Sequence, residues 1–268
     1  MPETVKPDIN TFEGLSFGPH PMRICHEKVR EYVAATGMDG DRWHSAAPPG
    51  FLASALFVVA PDLLSQLAEF SVIHGEQTFT WHGPLELESD LEISGEVTRV
   101  RQRGETFFIS FDMTVQKDGA RVAEGTSLFL VSPASVESGA APSSPPPALE
   151  RGHSSPGQKS ASRADLVRYA AATRDWNPIH WDHQSAVAAG LRGVVVHGLL
   201  QASWALDRAA RGVDGDSPFR FAKIRFRSPL FTGHPVDLVL AGDGTRLTVE
   251  VCDASTQFLT TQFDLAEE

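Results

Sequence analysis

Asp175-Trp176-Asn177-Pro178-Ile179-His180, answered seventeen residues later by His197-Gly198, is the stretch on which the reading of this chain turns. It sets a carboxylate and an imidazole five positions apart on a loop stiffened by Pro178. Upstream, Ser162-x-x-Asp165 reads as a capping box opening a helix over residues 166–173, with Leu166, Tyr169, Ala170 and Thr173 on one face. Asn177-Pro178 is expected to stop that helix, because a residue before proline avoids helical angles. Downstream, Val194-Val195-Val196 leads to Gly198, which opens a helix over residues 199–211 apolar enough to be largely buried. Strands are expected at 221–227, 235–241, 246–253 and 257–265.

Moving further out, residues 132–162 are dominated by Ser, Pro, Ala and Gly and read as a linker between two halves. The halves match each other. Residues 29–36 align with 166–173, placing Tyr32 against Tyr169 and Thr36 against Thr173, and residues 79–85 align with 224–230. Between these anchors Pro49-Gly50-Phe51 falls opposite His197-Gly198-Leu199. In the first half, strands are expected at 76–81, 90–99, 106–116 and 120–131, with Lys117-Asp118-Gly119 as a hairpin turn. Helices followed by a run of antiparallel strands make each half an α+β unit in which a sheet wraps one buried helix.

With 268 residues the chain is long enough for one large domain or two ordinary ones, and 41% hydrophobic with 21% charged residues describes a soluble globular protein. No apolar run is read as reaching the roughly 18–20 residues of a membrane span, and the first thirty residues show no leader pattern, so a cytoplasmic protein is expected. A formal net charge of −11 argues against a nucleic-acid surface, so an anionic ligand must meet a local basic patch. Cys25 and Cys252 have neither CxxC nor metal-ligand spacing and are expected to be free buried thiols in a reducing compartment. Neither a metal nor a separate cofactor is expected.

The ordered run Tyr169-Ala170, Asp175-x-Asn177-Pro178-Ile179-His180-x-Asp182, Ala188-Ala189-Gly190 and Val195-Val196-His197-Gly198 resembles the MaoC-like family of (R)-specific enoyl-thioester hydratases and 3-hydroxyacyl-thioester dehydratases. His74-Gly75-Glu76-Gln77-Thr78-Phe79 and residues 81–90 resemble the non-catalytic partner units of that family. The resemblance implies two tandem hot-dog units, a double hot dog: a non-catalytic unit at 1–131 on the acyl-chain side, the linker at 132–162, and a catalytic unit at 163–268. It also implies a hydro-lyase of fatty acid metabolism whose thioester substrate carries coenzyme A or the phosphopantetheine of an acyl carrier protein.

The residues suit that chemistry. Asp175 and His180 could both reach one water molecule, one accepting its proton and the other orienting it, and such a pair titrates as a unit. Gly198 would offer a free amide, backed by the helix dipole, to the oxyanion of a thioester. Asn177 braces the loop and by resemblance helps to position His180 or ligand, while His197 neighbours the oxyanion site. Lys223, Arg225 and Arg227 alternate along one strand face, reading either as a solvated face or as a patch for the phosphates of the carrier. Trp176, Trp181 and Trp204 are candidates for an acyl pocket, with Trp204 better suited to core packing. Alone, Asp-x-Asn-Pro is an ordinary turn; His180 and His197-Gly198 at family spacing set this one apart. In the first half, the Tyr32/Tyr169 offset carries Asp175 and His180 onto Met38 and Trp43, neither of which moves protons. Two alternatives stand beside this reading: a hydratase for short branched or dicarboxylic (mesaconyl-type) acyl-CoA, and a non-catalytic acyl-thioester-binding subunit. Two units per chain suit either a monomer or a homodimer.

Overall fold

The computed structural model describes residues 7–133, 157–242 and 245–266. Most of the expected linker, 134–156, and His153 within it lie outside them. The first half runs β1 (Ser16–Ile24), α1 (His26–Thr36), β2 (Ala46–Ala47), α2 (Leu52–Gln66), β3 (Phe70–Trp81), β4 (Leu85–Glu86), β5 (Ser89–Arg103), β6 (Thr106–Lys117) and β7 (Ala120–Pro133). The second runs α3 (Arg163–Thr173), α4 (His183–Ala188), α5 (Gly198–Ala210), β8 (Phe219–Phe226), β9 (Asp237–Gly242), β10 (Arg246–Cys252) and β11 (Gln257–Leu265).

Nine strands form one antiparallel sheet in the order β1-β5-β6-β7-β3-β8-β11-β10-β9. Apart from the edge strand β1, the order reads symmetrically outward from β3 and β8, and the symmetry extends to single residues. The repeat that sets Phe79 against Ile224 sets Thr78 against Lys223, and these two are direct partners across the β3–β8 pair. Aligned residues facing one another across an antiparallel pair place a local two-fold axis between the halves. The helices obey the same axis. The Tyr32 and Tyr169 rings meet at 6.2 Å, and Thr36 and Thr173 each donate a hydroxyl to the carbonyl four residues back, at 2.9 and 2.8 Å.

Alternation fixes which face of the sheet is buried. Ile109, Phe111, Met113 and Val115 of β6 point inward, as do Val249 and Val251 of β10, while intervening positions are less buried. This inner face receives α2 in the first half and α5 in the second, where Leu199, Leu200, Trp204 and Leu206 are nearly inaccessible. Each such side chain contributes on the order of 1.5–3 kcal/mol. Pro49–Gln66 does reach the length and mean hydropathy, 1.2, of a membrane span, contrary to the sequence reading; it is mostly buried as the central helix of the first half.

Several local expectations are met. Asp118 and Gly119 both have positive φ, 51° and 77°, in a two-residue hairpin closed by Lys117 and Ala120. Ser162 and Asp165 form the capping box of α3. Others are corrected. The helix stop is Arg174, left-handed at φ 67°, three residues before Asn177-Pro178. The end of the expected linker belongs to the second unit: Lys159 bridges Val236, and Ala161 is buried. Cys25 and Cys252 are free but only half-buried.

Candidate functional site

The loop after α3 folds into two short helical pieces held by its own polar groups. Asn177 caps a 3-10 turn, Pro178–His180, by accepting from the Ile179 amide at 3.3 Å. Asp182 caps α4 through the Ser185 amide and hydroxyl at 2.7 and 2.6 Å. Residues 194–196 pass between this turn and the chain after β8: the Val195 amide donates to Ile179 at 3.2 Å and that of Val196 to Leu230 at 2.7 Å. His180 and His197 are thereby brought face to face.

Asp175, His180 and His197 are 7, 8 and 0% exposed and converge. His180 Nδ1 lies 2.9 Å from the Val195 carbonyl; a carbonyl only accepts, so Nδ1 carries a proton and the basic nitrogen of the neutral ring is Nε2. His197 Nε2 likewise donates to the main-chain carbonyl of Asp175 at 3.2 Å. The two imidazoles stack with centroids 3.8 Å apart and planes 25° from parallel. Burial, then the neighbouring His180, hold His197 well below the ordinary histidine range, so it is neutral. Burial pushes the Asp175 carboxyl up, opposed by His180 and by the Asn177 amide. A carboxylate and two imidazoles are a possible metal donor set. The stacking counts against it: lone pairs lie in the ring planes, so an ion shared by two near-parallel rings would sit roughly half their separation out of both, a displacement close to a whole metal–nitrogen bond.

Gly198 is the first residue of α5, and His197 gives the helix no side-chain cap. The Gly198 amide meets no acceptor among the described residues. On its other side, a Cβ on Gly198 would lie 2.7 Å from Cδ1 and Cε1 of Phe226, the last residue of β8. The Phe226 ring in turn packs at 4.7 Å on His74 of the first unit, which also meets Phe129 at 5.0 Å. Burial lowers His74 to about 4. Sequence reading missed this His74–Phe226–Gly198 line, since only the β3–β8 pairing makes these residues neighbours.

The basic strand is less free than expected. Phe226 faces α5, so Arg225 and Arg227 point to the opposite side of the sheet. Glu76 of β3 ion-pairs with both Lys223 and Arg225 at 2.9 Å, which against the cost of its burial keeps its carboxyl below the usual range. Arg227 is exposed and forms no ion pair among the described residues. Of the tryptophans, Trp204 is core, while Trp176 and Trp181 are exposed and joined by a Trp181 Nε1–H bond to the Trp176 carbonyl at 3.2 Å. Trp43 is in the core of the first unit and Met38 packs against it, the two residues that the repeat offset sets against His180 and Asp175.

A family model described as the MaoC like domain matches residues 147–261. The mitochondrial 3-hydroxyacyl-[acyl-carrier-protein] dehydratase of Arabidopsis thaliana is 33% identical over 75 residues, covering 28% of this chain and 45% of that protein. The peroxisomal multifunctional enzyme type 2 of Drosophila melanogaster is 26% identical over 223 residues, covering 74% of this chain and 37% of its own length. The chain thus spans less than half the length of these curated relatives. Among solved structures, HtdX of Mycobacterium tuberculosis superposes with a TM-score of 0.74 at 19% identity, over 95% of this chain and 100% of that one. A conserved hypothetical protein of the same organism, described as a double hot dog, superposes with a TM-score of 0.61 at 14% identity, over 94% and 96%. Residues 147–261 thus match a MaoC like domain, and the chain shares its fold with a double hot dog.

Proposed function

We propose that the second unit catalyses the reversible hydration of trans-2-enoyl thioesters to 3-hydroxyacyl thioesters, running as a dehydratase in reverse, with the acyl group on coenzyme A or an acyl carrier protein. The observation that carries this reading is a buried carboxylate and a histidine with a free Nε2, set beside a helix-opening amide that no described group takes up. Water held between Asp175 and His180 loses a proton to the pair as its oxygen bonds to the β-carbon. Electron density moves onto the thioester oxygen, which the Gly198 N–H and the positive end of α5 stabilise. The enolate collapses as the pair returns a proton to the α-carbon, so no atom is lost and the pair is regenerated. The raised carboxyl of Asp175 suits this traffic, because a base whose pKa lies nearer the working pH both accepts and returns a proton readily. The (R) configuration of the product follows from the family resemblance. One chain supplies both hot-dog units, so a monomer suffices for a complete site and a homodimer of double units is equally compatible.

The test is loss of conjugated-thioester absorbance on crotonyl-CoA and longer enoyl chains, offered on coenzyme A and on carrier protein. Asp175→Asn and His180→Gln are each expected to reduce turnover about 10²- to 10⁴-fold with circular dichroism unchanged. Wild-type turnover in both variants would refute the assignment.

A further inference from the structure

We infer that His197, beyond neighbouring the oxyanion amide, is a positioning residue that sets both members of the Asp175–His180 pair; the inference rests on the function proposed above. As the residue preceding α5, His197 would ordinarily turn a side-chain acceptor back onto the first helical amides, yet it gives no such cap. Its ring instead lies flat on His180, and its Nε2–H holds the main-chain carbonyl of Asp175. One rigid ring therefore fixes the plane of the imidazole and the backbone of the carboxylate. Through its own peptide bond it also adjoins Gly198, whose amide is the third member of the site.

The opposite edge of the ring argues against simple filling. His197 Nδ1 is buried without a hydrogen-bond partner among the described residues. So is Oε1 of Gln201, one helical turn further along α5, while the Tyr169 ring packs 4.9 Å from His197. An orphaned buried nitrogen costs stability that an apolar side chain of similar size would not. An imidazole is kept there because its Nε2–H is needed on the other edge, and that need fixes the Nε2–H tautomer.

Two measurements test this. In substrate-free protein labelled with 15N-histidine, His197 is expected as the neutral Nε2–H tautomer at pH 7.5 (a pH chosen near neutrality, about one unit above the free imidazole value); protonation at Nδ1 instead would overturn the inference. In kinetics on crotonyl-CoA, His197→Leu is expected to lower kcat about 10²-fold with KM within roughly twofold, because a misplacement of about 1 Å costs that much. His197→Gln, whose amide can still donate to the Asp175 carbonyl, is expected to return kcat to within about tenfold of wild type. A folded His197→Leu with wild-type kcat, or a His197→Gln no better than His197→Leu, would overturn it. If His197→Leu does not fold, the tautomer and the Gln variant decide. A wild-type protein inert on every enoyl thioester would sink the function but leave the tautomer, read without substrate, to judge the geometry.

Discussion

Replacing Gly198 by alanine leaves its amide in place, so it separates the packing role of this glycine from its role as donor. The new Cβ would lie 2.7 Å from two carbons of the Phe226 ring, about 0.8 Å inside an ordinary carbon–carbon contact of ~3.5 Å. Phe226 cannot simply retreat, because the His74 ring stands 4.7 Å behind it. Overpacking of this kind costs about 1–3 kcal/mol, and the better helix propensity of alanine, about 1 kcal/mol in a helix interior, counts for little at the first residue of α5, so a net loss of roughly 1–2 kcal/mol is expected. At this chain length that corresponds to about 3–6 °C in Tm by calorimetry. The cause is isolated by a double-mutant cycle with Phe226→Leu, in which the smaller side chain should absorb the Cβ and give a coupling of at least ~1 kcal/mol. Turnover should fall with stability in Gly198→Ala and recover in the double variant, since the start of α5 moves with the clash. A Gly198→Ala protein as stable as wild type, or a cycle with no coupling, would refute the close approach of Phe226.

The other predictions concern charge and backbone. Asp175 has a folded pKa above its unfolded value, so ionising it costs stability as pH rises through the folded value; Asp175→Asn should be more stable than wild type at pH 8, where any ordinary carboxylate is ionised, and lose that excess in acid, as denaturant titrations at several pH values would show. His74 is depressed to about 4, so its neutral form is favoured in the fold and stability falls as pH drops from ~6.5 toward that value; His74→Phe, filling the same space between Phe129 and Phe226, should flatten that acid limb in the same titrations. Arg174 sits at φ 67°, where a side chain costs about 1–2 kcal/mol; Arg174→Gly should gain roughly 0.5–1 kcal/mol after the entropy of the unfolded glycine is deducted, measured as a rise in Tm.

What the sequence made legible was local or repeated. The Asp118-Gly119 turn, the Ser162 capping box and the alternation of β6 each signal structure from neighbours in the chain, and the repeat carried the two-fold axis itself. The long-range features were not legible. β1 was missed because Gly18, Pro19 and Pro21 break strand alternation, which an edge strand tolerates since one side of its backbone ladder is unused. The stop at Arg174 was missed because a left-handed arginine has no composition signal. The basic strand was read without Glu76, which lies 149 residues before Arg225 and meets it only through β3–β8 pairing. The convergence of Asp175 and His180 was legible because their loop is contiguous; the Val195 carbonyl that accepts from His180 was not, since its partnership depends on how residues 194–196 thread past the turn.

Duplication has left the two helix-opening glycines in different surroundings. Gly50 is the counterpart of Gly198, but a Cβ there would lie 2.6 Å from the Tyr32 hydroxyl and 3.3 Å from Ser203 Oγ. Those two groups are hydrogen-bonded to each other at 2.6 Å across the unit boundary, Tyr32 from α1 and Ser203 from α5. The Cα side of Gly50 is therefore filled by hydroxyls in the contact between the units, and Met38 and Trp43, which the repeat offset sets against Asp175 and His180, pack against and in the core. Around Gly198 the nearest neighbour is an apolar ring on the Cα side, and the amide has no described acceptor. The Tyr32–Ser203 hydrogen bond also ties Ser203, and with it α5, to the other unit. This contact between the units thus anchors the helix whose first amide is that of Gly198.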